Sequence, residues 1–479
     1  MSDILSLDAT AQLAALTARR ISSRELLAAA LARTDRLNPA INAVVARDPD
    51  RAFADARRID DIRAARGALG PLAGLPMTVK DTLDVEGLPA SAGMASLLGR
   101  TACDAAVVAA IRAAGAIVWG KTNTPVKAAD WQTYNPLYGT TNNPFDPART
   151  PGGSSGGSAA ALAAGFTALE IGADIGGSLR IPASFCGVFA HKPSFGLVSQ
   201  RGLVPPPDRA ADIDLAVVGP LARSARDLSL LMSVIAPFQP APPATVKGLR
   251  VALWLEAPGF VLDVPEKNAV AAFARKLEAA GAIVEPVAAP VDAERLMATY
   301  TMLLFSILGA DLPAPVRALY EMARPVALIA RRGGADAMSW AQALLGHTAR
   351  RAEWAAADRA RDNLGARMAQ FFQRHDVLLA PVAPVAAFPH DHSPFLRRTL
   401  ALADGRRVGY REMMRWVALA TLCGLPATAM PVGLSPQGLP IGVQLIGPRN
   451  GDARLLAVAQ AVETACGGFI PPPADRSSR

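Results

Sequence analysis

The sequence predicts an α/β fold, and three observations carry that prediction. Short apolar runs at LPMTVKD (75–81), AIVWGKTN (116–123) and ALEIGAD (168–174) have the length and continuity of buried strands. A helix-to-strand phrase recurs as VVAAIRAAGAIVWG (107–120) and AVAAFARKLEAAGAIVEPV (269–287), which reads as two similar units and not as a solenoid repeat. Strand-like text returns late, in VLLAPVAPV (377–385) and LPIGVQLIG (439–447), so the two halves of the chain are expected to share one sheet.

Taken in order, residues 1–70 are helical in pattern. Ser22 with Glu25 makes a capping box ahead of ELLAAALART, and DPDRAFADARRIDDIRAA continues with helical spacing. Residues 71–240 hold the first strand-like runs and two glycine-serine clusters. The proline-rich stretch from Ala236 to Val246 is either a linker or a surface loop. A second half, 249–479, opens on LRVALWL, reads mostly as helices from 288 to 375, and closes on strands. With 479 residues the chain has room for two or three average domains, or for one large α/β core, and a single domain over 1–479 is the expectation.

Composition removes several classes of function. The longest uncharged run, Val417 to Pro448, contains Pro426, Pro431, Pro436 and Pro440, whereas a spanning helix needs about 20 apolar residues with an intact backbone ladder. The N-terminal MSDILSLDATAQ lacks a basic segment followed by an apolar one, so a cytoplasmic location is expected. Cys103, Cys186, Cys423 and Cys466 show neither disulfide nor metal-ligand spacing, and read as small hydrophobes. The net charge of +8 comes mostly from dispersed arginine, with few aromatics to stack on bases, so no nucleic-acid partner is expected.

Chemistry concentrates in PGGSSGGSAAALAAGFTALEIGADIGGSLR (151–180). Ser178 follows a strand-like run and two glycines, which let successive backbone N–H groups point at one spot. As a nucleophile, Ser178 would need an oxyanion hole, and the N–H groups of Ile175, Gly176, Gly177 and Ser178 are the candidates. Gly152-Gly-Ser154-Ser-Gly156 matches the G-x-S-x-G elbow in letters, but turn-rich NNPFDPARTP precedes it instead of a strand. The run also lacks the lysine of a phosphate-binding loop.

The histidines make poor bases. His191 ends a strand-like run before Lys-Pro, His390 and His392 lie in a proline-rich loop, and His347 and His375 sit in helical text. A lysine kept neutral by burial performs the same task in Ser-Lys systems. Lys80, Lys121 and Lys192 all sit at ends of strand-like runs, and spacing does not choose among them.

At these residues the chain resembles the amidase signature family. The matching text is GLPMTVKDTLDVEGLPASAG (74–93), WGKTNTP (119–125), PLYGTTNNPFDPARTPGGSSGGSAAALAAG (136–165) and IGADIGGSLRIPASFCGVFAHKPSFG (171–196), with CGLPATAMPVG and LPIGVQLIGP as closing strands. The resemblance implies an α/β/α sandwich around one large mixed, mostly parallel sheet flanked by helices. It implies a serine amidohydrolase without cofactor or metal, with Ser178 as nucleophile, Ser154 as bridging serine after a cis peptide, and Lys80 as general base. Lys121 and Lys192 then become structural, and Ser155, Asp174 and Arg180 support the site. His191 departs from the apolar residue common before Lys-Pro, a change expected to alter local packing only.

The family divides into free-standing amide hydrolases and the glutaminase component of glutamyl-tRNA amidotransferase. Residues 299–313 read TYTMLLFSILGADLP in place of that component's glutamine-binding text. The expectation is therefore a free-standing hydrolase of small apolar or aryl amides, with Trp131 and Tyr134 as a candidate pocket wall. The alternatives within the family are carbamate or oligoamide hydrolysis and the glutaminase of an amidotransferase complex. An inactive scaffold is the alternative outside it, and the intact Lys80, Ser154 and Ser178 set argues against that. Hydrolysis of lipid amides at a membrane would require an apolar amphipathic cap, for which the sequence has no strong candidate. The expected partner is a small amide or carbamate substrate, and a homodimer is compatible with the text.

Overall fold

In the computed structural model, which describes residues 3–206 and 211–473, the chain opens on helices α1 (Ala9–Thr17) and α2 (Ser23–Ile41). The capping box starts α2: Ser22 Oγ accepts from the Glu25 N–H at 3.2 Å, and Glu25 accepts from the Ser22 N–H at 2.8 Å. Strand β1 (Val44–Arg47), helix α3 (Pro49–Ala64) and strand β2 (Pro76–Lys80) follow. The turn from α4 (Ala106–Ala113) into β3 (Ile117–Thr122) is the first helix-to-strand phrase of the sequence. β3 runs parallel to β2 and antiparallel to β1, so three strands form one ladder. A short hairpin, β4 (Tyr134–Asn135) and β5 (Gly139–Thr140), precedes the first glycine-serine cluster. Then come α5 (Gly156–Ala163), β6 (Leu169–Asp174), α6 (Arg180–Cys186), β7 (Phe189–Lys192), β8 (Val217–Ala222) and α7 (Ala225–Ile235).

The second half adds β9 (Arg250–Leu253), α8 (Val264–Ala279) and β10 (Ile283–Pro286), the second helix-to-strand phrase. Four helices follow: α9 (Ala293–Gly309), α10 (Ala314–Arg332), α11 (Trp340–His347) and α12 (Arg351–Phe371). β11 (Val377–Pro381), the hairpin β12 (Thr399–Ala401) and β13 (Arg407–Gly409), and α13 (Arg415–Leu422) lead to β14 (Ala427–Leu434), β15 (Pro440–Ile446) and α14 (Asp452–Cys466).

Both halves contribute to one mixed eight-stranded sheet in the order β10-β9-β11-β15-β14-β7-β8-β6, with helices on its faces. The expectation of a mostly parallel sheet is corrected here. Only the β10-β9-β11 edge is parallel, and the remaining pairs are antiparallel. The reason lies in the connections: a helix returns β9 to β10 in the same direction, whereas β14 and β15 are joined by a short turn. β6 and β7 do run the same way around α6, but β8 inserts between them antiparallel to both. Beyond β6 the three-stranded ladder continues the layer without joining it, bridged by a 2.7 Å hydrogen bond from Thr78 Oγ1 on β2 to the Glu170 carboxylate on β6.

The core includes the fully buried indoles of Trp119, Trp254 and Trp416, and Trp254 packs on Trp416 at 5.1 Å between ring centroids. Burying a large apolar side chain stabilises by roughly 1.5–3 kcal/mol, so this aromatic cluster fixes α13 against β9. No helix of the described residues is long and apolar enough to cross a membrane. The structure does hold an amphipathic apolar face that the sequence hid: α10 buries Arg324 and Ala327 and exposes Leu319, Met322, Val326 and Ile329. Its four arginines and Pro325 interrupt the apolar pattern in the linear text.

Candidate active site

Three segments distant in sequence meet at the ends of β2 and β6. β2 ends on Lys80, whose side chain is fully buried. Lys80 Nζ lies 2.8 Å from Ser154 Oγ and 2.9 Å from Ser155 Oγ. The two serines stand immediately before α5, and the Gly153–Ser154 peptide is cis. Thr124 Oγ1 donates to the Ser154 carbonyl at 3.0 Å. The Ser155 N–H donates to the Ser178 carbonyl at 3.2 Å, which ties the first serine cluster to the loop after β6. The Ser178 hydroxyl itself is uncommitted among the described residues.

Burial pulls Lys80 down to about 7, against the opposing pull of the Asp174 and Glu170 carboxylates. An ammonium sealed from water loses its hydration, so the neutral amine gains. The positive end of α5 disfavours the charged form further. Lys192 is also lowered to about 7 by burial, and Lys121 to about 8. Position, not burial, therefore separates the three. Lys121 Nζ donates to the Leu83 carbonyl and Lys192 Nζ to the Pro193 carbonyl, at 2.9 Å for the latter.

Asp174 and Arg180 set the shape of the loop that carries Ser178. Asp174 accepts the N–H of Gly177 at 2.8 Å and of Leu179 at 3.2 Å, and pairs with Arg180 through two contacts of 3.0 and 3.1 Å. Burial favours the neutral acid here, but the Arg180 guanidinium and these N–H groups more than offset it and hold Asp174 below the usual carboxylate value. Arg180 spends its remaining donors on Val417 O, Gln444 Oε1 and Thr421 Oγ1, which anchors the loop to α13 and β15.

This geometry corrects one member of the expected oxyanion set. The Gly177 N–H is consumed by Asp174, because Gly177 adopts φ +91° and turns its amide back toward that carboxylate. The N–H groups of Ile175, Gly176 and Ser178 remain unclaimed among the described residues.

The candidate pocket pair separates. Trp131 is brought to the loop, donating from Nε1 to the Gly176 carbonyl at 2.8 Å and packing on Phe395 and Tyr410. Tyr134 instead stacks on His392 at 4.0 Å, and its hydroxyl accepts from Arg398 at 2.6 Å. Arg398 and Tyr410 also converge on Asp130, at 2.6 and 2.7 Å.

Sequence reasoning passed over Glu170, which burial raises to about 7, and Tyr300, whose hydroxyl donates to the Ile175 carbonyl at 2.9 Å. Glu170 had a legible signal, a lone acid inside an apolar strand run. Tyr300 had none, since only the fold brings α9 to this loop. His191 is a buried tie between β7, β14 and α14, bonded to Thr428 at 2.9 Å and Asp452 at 3.1 Å.

The amidase family's profile matches residues 25–456. The chain belongs to the amidase family. It is an amide C–N hydrolase by that membership, and its fold agrees. The chain is 37% identical over 500 residues to the GatA-type component, the A chain, of the glutamyl-tRNA(Gln) amidotransferase of Synechococcus sp. (strain CC9605), covering 96% of each chain. A solved amidase superposes with a TM-score of 0.79 at 30% identity, over 96% of this chain and 100% of that one. A 6-aminohexanoate cyclic dimer hydrolase complexed with substrate superposes with a TM-score of 0.75 at 30% identity, over 96% of this chain and 97% of that one.

Proposed function

We propose that this amidase cleaves small apolar or aryl amides through an acyl-enzyme on Ser178, with Ser154 as proton relay and Lys80 as base. The observation that carries the reading is the buried Lys80 amine, lowered to about 7, at 2.8 Å from Ser154 Oγ. Neutral Lys80 takes the Ser154 proton as Ser154 takes the one on Ser178. Ser178 Oγ then bonds the carbonyl carbon, and its oxygen becomes an anion facing the free N–H groups. Collapse breaks the C–N bond while the relay returns a proton to the leaving amine, and water releases the acyl group by the reverse order of steps.

The charged groups around the site support an apolar substrate. Asp174 pairs with Arg180 and Asp130 with Arg398, and the rings of Trp131, Phe395 and Tyr410 pack against that second pair. A zwitterionic substrate such as glutamine would have to break one of these pairs. The Synechococcus relative favours a second reading with comparable force, a glutaminase working inside an amidotransferase complex.

One experiment separates these readings. Intact-protein mass spectrometry after exposure to a fluorophosphonate and a panel of aryl amides, alkyl amides, carbamates and L-glutamine, with Ser178→Ala alongside, should give an adduct in the wild type alone. Turnover of aryl amides places the free-standing hydrolase first. Ammonia from glutamine with aryl amides untouched places the glutaminase first, and no adduct on folded protein defeats both.

A further inference from the structure

The loop from Ile175 to Ser178 contains three successive peptide units, each held differently. In a trans peptide the C=O and the following N–H point in opposite directions, so whatever holds the carbonyl aims the amide. The Gly176–Gly177 unit is fixed at both ends, by Trp131 Nε1 on its carbonyl at 2.8 Å and by Asp174 on its N–H at 2.8 Å. The Gly177–Ser178 unit is held by the Ile181 N–H, which donates to the Gly177 carbonyl at 2.8 Å. That aims the Ser178 N–H to the opposite side. The Ile175–Gly176 unit has one hydrogen bond among the described residues, from Tyr300 Oη to the Ile175 carbonyl at 2.9 Å.

We infer that Tyr300 is a positioning residue, whose hydroxyl orients the Ile175–Gly176 peptide so that the Gly176 N–H faces the oxygen of the reacting carbonyl. The inference rests on the acyl-enzyme reading above. Gly176 makes the anchor necessary, because a peptide ending on glycine can rotate without the steric barrier a Cβ imposes. Tyr300 suits the role physically. Its ring is fully buried on α9, and burial, with the Asp174 carboxylate nearby, pushes its phenol well above the ordinary value, so it stays a neutral donor. An oxyanion donor that needs no rearrangement at the moment of reaction is worth far more than one that must be turned into place.

The test compares wild type with Tyr300→Phe, which keeps the ring and removes the hydroxyl. Rates on an aryl amide are normalised to sites titrated with fluorophosphonate, so that only folded, competent enzyme is counted. The expected result is a fall in kcat of about tenfold or more with KM unchanged, and a matching loss of affinity for a trifluoromethyl ketone, whose hemiketal carries the oxyanion. The pH at which activity rises should stay put, since Lys80 is untouched. Should the phenylalanine variant not fold, Tyr300→Met removes the same hydroxyl with a more adaptable side chain and is held to the same outcome.

A kcat and inhibitor affinity within about twofold of wild type would overturn the inference, as would a loss confined to KM, which would make Tyr300 a pocket wall. If wild-type Ser178 takes no fluorophosphonate, the acyl-enzyme reading fails and this inference falls with it. If Ser178 is labelled and Tyr300→Phe keeps its rate, the inference alone fails.

Discussion

Lys80 Nζ stands 2.8 Å from Ser154 Oγ, whereas Lys121, fully buried on the adjacent strand, turns its amine to the Leu83 carbonyl and lies near Asp81 and Asp84. Two lysines with similar burial thus have separate tasks. Lys80→Ala should lower kcat by about 10³-fold or more while the protein still folds, since loss of the base leaves only the oxyanion donors and binding. Lys121→Ala should keep most of the rate per folded molecule and melt at a lower temperature, because Asp81 and the Leu83 carbonyl lose a buried partner. Steady-state kinetics with thermal melts of both variants check this, and the reverse ranking in kcat would remove Lys80 from the proposed role.

Protonation of Lys80 blocks its action as a base, so kcat/KM should rise with pH through about 7 and then level off. Glu170 gives a way to move that limb. Its carboxylate favours the ammonium form of Lys80, so Glu170→Gln removes an anion and should lower the lysine pKa further. The rising limb then shifts to lower pH. A pH series on a single aryl amide decides it, and a shift to higher pH would contradict the electrostatic assignment.

Arg180 is fully buried and forks across Asp174, Val417, Thr421 and Gln444. Arg180→Met would leave the Asp174 carboxylate buried without its counter-charge, a change that costs about 3–5 kcal/mol in comparable pairs. Urea denaturation should show that loss, and residual native protein should label slowly at Ser178 because the Gly177 and Leu179 amides lose a fixed acceptor. A stability change below about 1 kcal/mol would mean that Asp174 finds another partner or takes up a proton.

What could be read from the sequence was whatever is local. The capping box at Ser22, the apolar runs that became β2, β3 and β6, and the glycine-serine text around Ser154 and Ser178 each declare themselves within a dozen residues. Strand direction was not local. The position of β8 between β6 and β7 depends on where a distant segment returns, and nothing in VVGPLA encodes that choice. The choice among three lysines was likewise invisible to spacing, because all three sit at strand ends and all three are buried. Gly177 shows the same limit at atomic scale: its amide was legible as a donor, but the acceptor that consumes it, Asp174, is selected by the turn.

Gly153 supplies the last prediction, from space and not from conformation. A Cβ on Gly153 would lie 2.4 Å from the Asp130 carbonyl oxygen and 2.9 Å from both the Gln132 nitrogen and the Trp131 carbonyl carbon. All three are backbone atoms, so no side-chain rotation relieves the clash. Either the 130–132 segment retreats, carrying Trp131 off the Gly176 carbonyl, or the 152–155 segment retreats, carrying Ser154 off Lys80. Both routes misplace a group next to the reacting atoms, and overpacking of this kind costs about 1–3 kcal/mol in addition. Gly153→Ala should therefore lose kcat by about 10²-fold, the scale expected for an ångström-level misplacement, together with stability. Gly365 on α12 is the matched control, since a Cβ there meets nothing within 4 Å. Gly365→Ala should leave kcat unchanged and raise stability by roughly 0.5–1 kcal/mol through helix propensity. Kinetics and urea denaturation of the two variants side by side read both effects. An active Gly153→Ala enzyme would show that the Ser154 loop and the Trp131 segment move independently of each other.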